Sequence, residues 1–317
     1  MKTPLYFNHD GGVDDLVSLF LLLQMENVEL IGVSVIDADC YVEPAVSASR
    51  KIIDRFGAKR SGGRLEVARS NSRGKNPFPK EWRMHAFYVD ALPILNESGH
   101  VETPLAAFPA HKDLISKVSA SDKPVTLLFT GPLTDLARAL DEAPELENNI
   151  AKLYWMGGTF LPDGNVAEPE HDGTAEWNAF WDPEAAARVW ESGIEIEMVA
   201  LESTNKVPLT LDVRAQWAHK RRFEGIDFVG QCYAMVPPLV HFATNSTYYL
   251  WDVLTTVIIG RPGLVRSRSA ICAVIPDGPS QGRTVETPDG RPVNVVEDVD
   301  AEAFFAYMTD LAAAAKS

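Results

Sequence analysis

Apolar runs of strand length alternate along this chain with runs of helical period. Leu5-Tyr6-Phe7 leads through Asn8-His9-Asp10-Gly11-Gly12-Val13-Asp14-Asp15 into an apolar run at 16–23: strand, glycine turn, helix. Residues 28–36 are rich in β-branched side chains and read as a buried strand, ending in Asp37-Ala38-Asp39-Cys40. Residues 43–56 read as an amphipathic helix closed by Gly57. Further strands are expected at 65–68, 125–129, 152–156 and 194–201. Thr130-Gly131-Pro132-Leu133-Thr134 turns one of them into a helix that reaches residue 140. Asp182-Pro183-Glu184 starts another helix, with Asp182 as its N-cap. Residues 71–83, rich in Ser, Gly, Pro and Lys, are expected as a long loop without regular structure. The chain from 211 to 259 reads as helices, and 269–275, 284–287 and 293–297 as late strands. The last two strands would join as a hairpin through Pro288-Asp289-Gly290, and 300–316 as a closing helix. The pattern predicts an α/β fold: a Rossmann-like open, mostly parallel sheet with helices on both faces, a helical region and a small late hairpin. No repeat, low-complexity tract or linker interrupts it, so residues 1–317 are expected to form one domain.

Composition narrows the functional classes. The chain has 317 residues, 46% of them hydrophobic, enough to bury a large core. Its formal charge of −15 repels phosphate backbones, so nucleic acid is not an expected partner. Cys40, Cys232 and Cys272 have no paired spacing, which argues against disulfides and structural zinc and fits a reducing cytoplasm. Met1-Lys2-Thr3-Pro4 runs straight into a strand, and no apolar run is long enough to span a bilayer. A cytoplasmic chain with no membrane partner is the expectation. No P-loop or GxGxxG pattern is present, which disfavours phosphate-bearing nucleotides.

The first turn carries the chemistry. Asp10 stands where the strand ends, and Asp14 and Asp15 stand where the helix starts. A helix N-terminus favours negative charge, but three aspartates within six residues repel one another. A hard divalent cation such as Ca²⁺ or Mg²⁺ resolves that repulsion by taking carboxylate oxygens. Asp252 lies in the apolar stretch Tyr248-Tyr249-Leu250-Trp251-Asp252-Val253-Leu254-Thr255, where an unpaired buried carboxylate is costly. The turn of the haloacid-dehalogenase phosphatases fails on chemistry, because Asn8 stands at the strand end and is a poor nucleophile.

Together these segments resemble the nucleoside hydrolases. Asp10-x-x-x-Asp14-Asp15, Thr130-Gly131-Pro132-Leu133-Thr134, Met156-Gly157-Gly158, Asn165, Glu176-Trp177-Asn178 and Trp251-Asp252 occur in that family's order. The likeness is greatest to the branch preferring inosine, adenosine and guanosine, through Asp37-Ala38-Asp39-Cys40, Asn76-Pro77-Phe78-Pro79-Lys80-Glu81-Trp82-Arg83, the segment around Glu176, and Trp251-Asp252-x-Leu254-Thr255. The resemblance implies Ca²⁺-dependent hydrolysis of purine ribonucleosides to base and ribose. Asp10, Asp15, Asp252 and the Thr130 carbonyl would hold one Ca²⁺ together with the ribose 2′- and 3′-hydroxyls and a water. Asp10 would be the general base. Asp14 and Asn178 would bind ribose hydroxyls, and Asn165 and Glu176 the 5′-hydroxyl. Trp82, Trp177, Trp251, Asp39 and Gly12 would surround the base. The expected partner is a small ribonucleoside, with the chain as a homodimer and a role in purine salvage.

Two positions depart from the family pattern. Asn8 replaces its first aspartate and would remove a charge beside the metal. Gly12 replaces an asparagine often seen in the purine branch. Trp251 stands where some members place a histidine acid, so stacking on indole faces would have to assist departure of the base. Hydrolysis of a pyrimidine or nicotinamide riboside, or a nucleoside-binding protein with impaired turnover, are the alternatives.

Overall fold

The structure, a computed structural model, describes residues 2–57, 65–80, 82–234 and 248–315. Among the described residues nine strands form one sheet: β1 (Thr3–His9), β2 (Val28–Asp37), β3 (Val67–Arg73), β4 (Val125–Phe129), β5 (Ile150–Met156), β6 (Ile196–Val199), β7 (Val265–Val274), β8 (Thr284–Glu286) and β9 (Arg291–Val299). Their spatial order is β3-β2-β1-β4-β5-β6-β9-β7-β8. From β3 to β9 the neighbours are parallel, and β7 runs antiparallel to both β8 and β9.

Why the central strands read as continuous apolar runs is plain from the two cores. On one face Leu5 and Phe7 of β1 pack with the helices Val13–Gln24, Val42–Phe56, Trp251–Gly260 and Ala301–Ala314. On the other, Tyr6 and Leu127 pack with Ala110–Ser119, Thr134–Glu142 and Pro183–Trp190. A strand covered on both faces keeps no polar side to alternate with. The strand order reverses between β1 and β4, which opens a crevice at their carboxyl ends.

Several expected boundaries move. β3 continues to Arg73, and a 3₁₀ turn occupies Trp82–Met84, so the irregular segment expected from residue 71 is shorter. The β6 strand is confined to Ile196–Val199 and is followed by a short helix at Leu201–Thr204. Within 211–259 the helices are Leu211–His219, Glu224–Ala234 and Trp251–Gly260, with 235–247 outside the described residues.

The expected hairpin between β8 and β9 does not form. Cys272 of β7 pairs with Glu286 on one side and with Arg291 on the other. The turn at 287–290 therefore carries the chain across the end of β7 rather than reversing it. Gly290 makes the crossing possible, since a Cβ there would lie 2.4 Å from the Cys272 carbonyl oxygen. Turn residues specify a local bend, whereas the ten-residue β7 supplies both partners.

Candidate active site

The first turn folds as its glycines require. Gly11 has φ of +87°, a left-handed conformation that side chains disfavour. The Gly12 N–H donates to Asp15 Oδ2 at 2.7 Å, so Asp15 caps the helix it begins. Asp10, Asp14 and Asp15 are each at most 3% exposed. Asp10 Oδ2 accepts the Asp39 N–H at 3.3 Å, tying the end of β1 to the segment after β2. The Thr130 hydroxyl donates to Asp15 Oδ1, joining the turn after β4. Asp10, Asp15 and Asp39 each offer an oxygen within 4.8 Å of the others. A Cβ at Gly12 would lie 2.5 Å from Asp39 Oδ2 and 3.1 Å from Asp15 Oδ2, so the absence of a side chain keeps this cradle open.

Asp252 enters from the first turn of the helix Trp251–Gly260. Its N–H donates to Asp14 Oδ2 at 3.2 Å, and the Tyr248 hydroxyl donates to Asp14 Oδ1 at 2.8 Å. Burial raises every carboxyl of the cluster. Asp10 is pushed well above the ordinary range, with Asp15 adding repulsion, and Asp39 likewise, with Asp10 adding to it. Asp15 is pushed up to about 8, and Asp252 is raised well above its usual value by burial and then by Asp14. Acids this close and this buried cannot all ionise together without a cation among them. The cluster's donors are all oxygens, which suits Ca²⁺ or Mg²⁺ better than a soft metal.

A second group of side chains lies across the turn after β4. Asn178 Nδ2 donates to the Thr130 carbonyl at 3.3 Å and to the Met156 carbonyl at 3.1 Å. Glu176 caps the helix Trp177–Trp181: Oε1 accepts Asn178 N–H at 2.9 Å, while Oε2 accepts Gly158 N–H at 2.9 Å and Ala179 N–H at 3.2 Å. Burial raises its carboxyl to about 7 against these backbone donors. Asn165 Oδ1 accepts the Trp177 N–H at 3.1 Å, so both residues expected at the 5′-hydroxyl also anchor the helix that carries Asn178.

The aromatic residues divide. Trp177 is 6% exposed and packs on Phe78 at 4.6 Å, and Phe78 in turn stacks on Trp181 at 4.5 Å. Half-buried Trp251 meets Tyr248 edge-on at 4.6 Å and Tyr249 at 5.9 Å. Trp82 opens its 3₁₀ turn, and its side chain lies outside the described residues. Arg83 beside it pairs with Asp37 and stands 4.2 Å over the Tyr41 ring, fastening the loop to the end of β2.

Sequence reasoning missed Tyr248 and Asp135. The hydroxyl of Tyr248 beside Trp251 was the available signal, but only folding shows that it reaches Asp14. Asn8 does not face an empty position. Its Nδ2 donates to Ser34 Oγ at 2.8 Å and to Asp135 Oδ2 at 3.2 Å.

The match to known proteins covers this whole arrangement, since residues 5–306 fit the family described as inosine-uridine preferring nucleoside hydrolase. The chain belongs to that nucleoside hydrolase family. A Bacillus anthracis structure, an inosine-uridine preferring nucleoside hydrolase, is 67% identical, with a TM-score of 0.93 over 99% of each chain. The non-specific ribonucleoside hydrolase RihC of Shigella boydii serotype 18 is 27% identical over 334 residues, covering 99% of this chain and all of that one. The purine-preferring ribonucleoside hydrolase of Gardnerella vaginalis, 23% identical, shares the fold with a TM-score of 0.77 over 99% of this chain and all of that one. Among the described residues, no helix of this nucleoside hydrolase is long and apolar enough to cross a membrane.

Proposed function

We propose that this chain hydrolyses the N-glycosidic bond of ribonucleosides with Ca²⁺ bound at the first turn, and that purine nucleosides are its better substrates. The observation that carries the reading is the meeting of Asp10, Asp15 and Asp39 within 4.8 Å beside the Thr130 turn, at the crevice where strand order reverses. Asp10, Asp15, Asp252 and the Thr130 carbonyl would hold the ion, with Asp39 close enough to add a ligand or to orient Asp10 through its N–H. Bound Ca²⁺ supplies positive charge that lets these acids ionise together and gathers sugar and water oxygens.

The chain's own groups do the rest. A carboxylate oxygen of Asp10 takes a proton from the attacking water. Asp14, held by Tyr248 and the Asp252 N–H, presents an acceptor to the ribose diol, and Asn178 presents its amide from the far side. Asn165 and Glu176 set the 5′ end. As the glycosidic bond breaks, positive charge grows on the sugar, and the fixed carboxylates stabilise it. Holding diol and nucleophile in one geometry removes a further part of the barrier, up to about 7–11 kcal/mol in favourable cases.

Base preference rests on Trp251, which occupies the position before Asp252 and cannot donate a useful proton. Stacking on Trp251, together with Trp82 and Trp177, would stabilise a purine that takes its proton from solvent. Each stacked base is worth about 1–3 kcal/mol by truncation. The description of the 67% identical Bacillus anthracis relative favours a second reading, in which uridine is cleaved as well as inosine.

Ribose released from inosine, adenosine, guanosine, uridine and cytidine, with and without chelator, separates these readings. Trp251→Ala should lower kcat on inosine much more than on p-nitrophenyl riboside, whose leaving group needs no proton. Equal losses on both would reduce Trp251 to substrate positioning. Uridine rates matching or exceeding inosine rates would favour the broader reading.

A further inference from the structure

Asn8 is the last residue but one of β1, and Asp10 follows directly after the strand's final residue, His9. Behind Asp10 the structure builds a buried polar relay. Asn8 is 1% exposed and donates from Nδ2 to Ser34 of β2 and to Asp135. Asp135 is fully buried in the first turn of the helix Thr134–Glu142, where negative charge is favoured. Its other oxygen, Oδ1, accepts the Ser70 hydroxyl of β3 at 2.8 Å. The relay thus links β3, β2 and the end of β1 to the helix that follows β4 and the Thr130 turn. Its polarity is set by the carboxylate: only Nδ2 of Asn8 can face Asp135. Asn8 Oδ1 is left buried, with no hydrogen-bond donor among the described residues. The Asn8 backbone carbonyl accepts the Thr130 N–H at 3.1 Å, so the same residue also sets the turn that bonds Asp15.

We propose that Asp135 is a positioning residue of this site. Its carboxyl stands one hydrogen bond from position 8, where the opening motif of the nucleoside hydrolases has an acid, and through Asn8 it holds the end of β1 so that Asp10 meets Asp15. The inference rests on the metal-dependent reading above and deepens it. The departure at position 8 is then a relocation of the acid rather than its loss.

Relocation makes a prediction that simple loss does not. Asn8→Asp alone sets two carboxylates at hydrogen-bond distance, where both cannot ionise together. Asp135→Asn alone sets two amides together with no charge. The double variant N8D/D135N restores one acid and one amide in exchanged places.

The four proteins are stripped of metal and compared by calorimetric titration with Ca²⁺, by kcat on inosine, and by metal-free melting temperature. Groups that orient metal ligands typically contribute 10–100-fold to affinity or activity. Each single variant should therefore weaken Ca²⁺ binding by roughly tenfold or more, and the double variant should recover most of that loss. If N8D does not fold, Ser70→Ala carries the test: weaker Ca²⁺ binding supports the proposal and unchanged binding overturns it. D135N with wild-type Ca²⁺ affinity and kcat overturns it, as does a double variant no better than N8D. Variants that change only the melting temperature show a structural role and overturn it too. Wild-type protein that neither binds Ca²⁺ nor releases ribose overturns the functional reading, and this proposal with it. Active wild type matched by D135N overturns the proposal alone.

Discussion

Glu176→Ala tests whether the side chain expected at the sugar's 5′ end also holds the site together. Three backbone donors end on its carboxylate, those of Gly158, Asn178 and Ala179, at 2.9, 2.9 and 3.2 Å. Glu176 itself is 2% exposed. Loss of an N-cap costs about 1 kcal/mol. A buried donor left unpaired costs about 1–3 kcal/mol, and water entering the vacated volume would satisfy part of that loss. A destabilisation of about 3 kcal/mol follows. With a urea m-value of about 3 kcal/mol per molar for a chain of this size, the unfolding midpoint should fall by about 1 M. The functional consequence is local, because Asn178 lies two residues past the cap and loses its N–H anchor. Glu176→Gln keeps one acceptor and should fall between wild type and alanine. Urea unfolding followed by circular dichroism gives the stability. The ratio of kcat/KM for inosine to that for 5′-deoxyinosine reports the sugar contact. A midpoint shift under about 0.2 M for Glu176→Ala, below the smallest single term in this sum, would refute the capping argument. An unchanged ratio would remove Glu176 from the 5′-hydroxyl.

Three further outcomes are expected. Asp10→Ala should abolish ribose release while leaving a folded protein, and chelator should do the same to wild type; activity that survives both would remove the ion from the first turn. The burial-raised acids make the metal-free protein less stable as pH rises. Asp15, raised to about 8, contributes fully below its unfolded value of about 4 and loses that contribution as pH climbs through about 8. The metal-free melting temperature should accordingly fall between pH 5 and pH 8, and Ca²⁺ should raise it more at pH 8; a flat profile would contradict the buried, uncompensated cluster. Inosine should outrun 2′-deoxyinosine by roughly 10⁴-fold, since a site built to bond a hydroxyl rejects the analogue lacking it. Comparable rates for the two would contradict placement of the diol at Asp14 and the metal.

Much of this protein was readable from sequence because its signals are local. Strands buried on both faces keep apolar runs, the Gly11 turn needs a residue that tolerates positive φ, and three aspartates within six positions form a cluster that could hold a cation. Asp182 and Asp300 cap the helices they precede, as short-range hydrogen bonding dictates. What the sequence left undecided depends on neighbours distant in the chain. The turn at 287–290 fixes a bend, but whether it reverses the chain depends on β7, which lies between its two flanking strands. Asp39 reads as one acid after a strand, and only parallel pairing of β1 with β2 brings its N–H and carboxylate to Asp10. Tyr248 reaches Asp14 across 234 residues, and Asp135 reaches Asn8 across 127. From sequence, position 8 had lost a charge. Packing of the helix after β4 against β1 and β3 sets the Asp135 carboxylate one hydrogen bond from Asn8, because a buried amide and a buried carboxylate each need a hydrogen-bond partner.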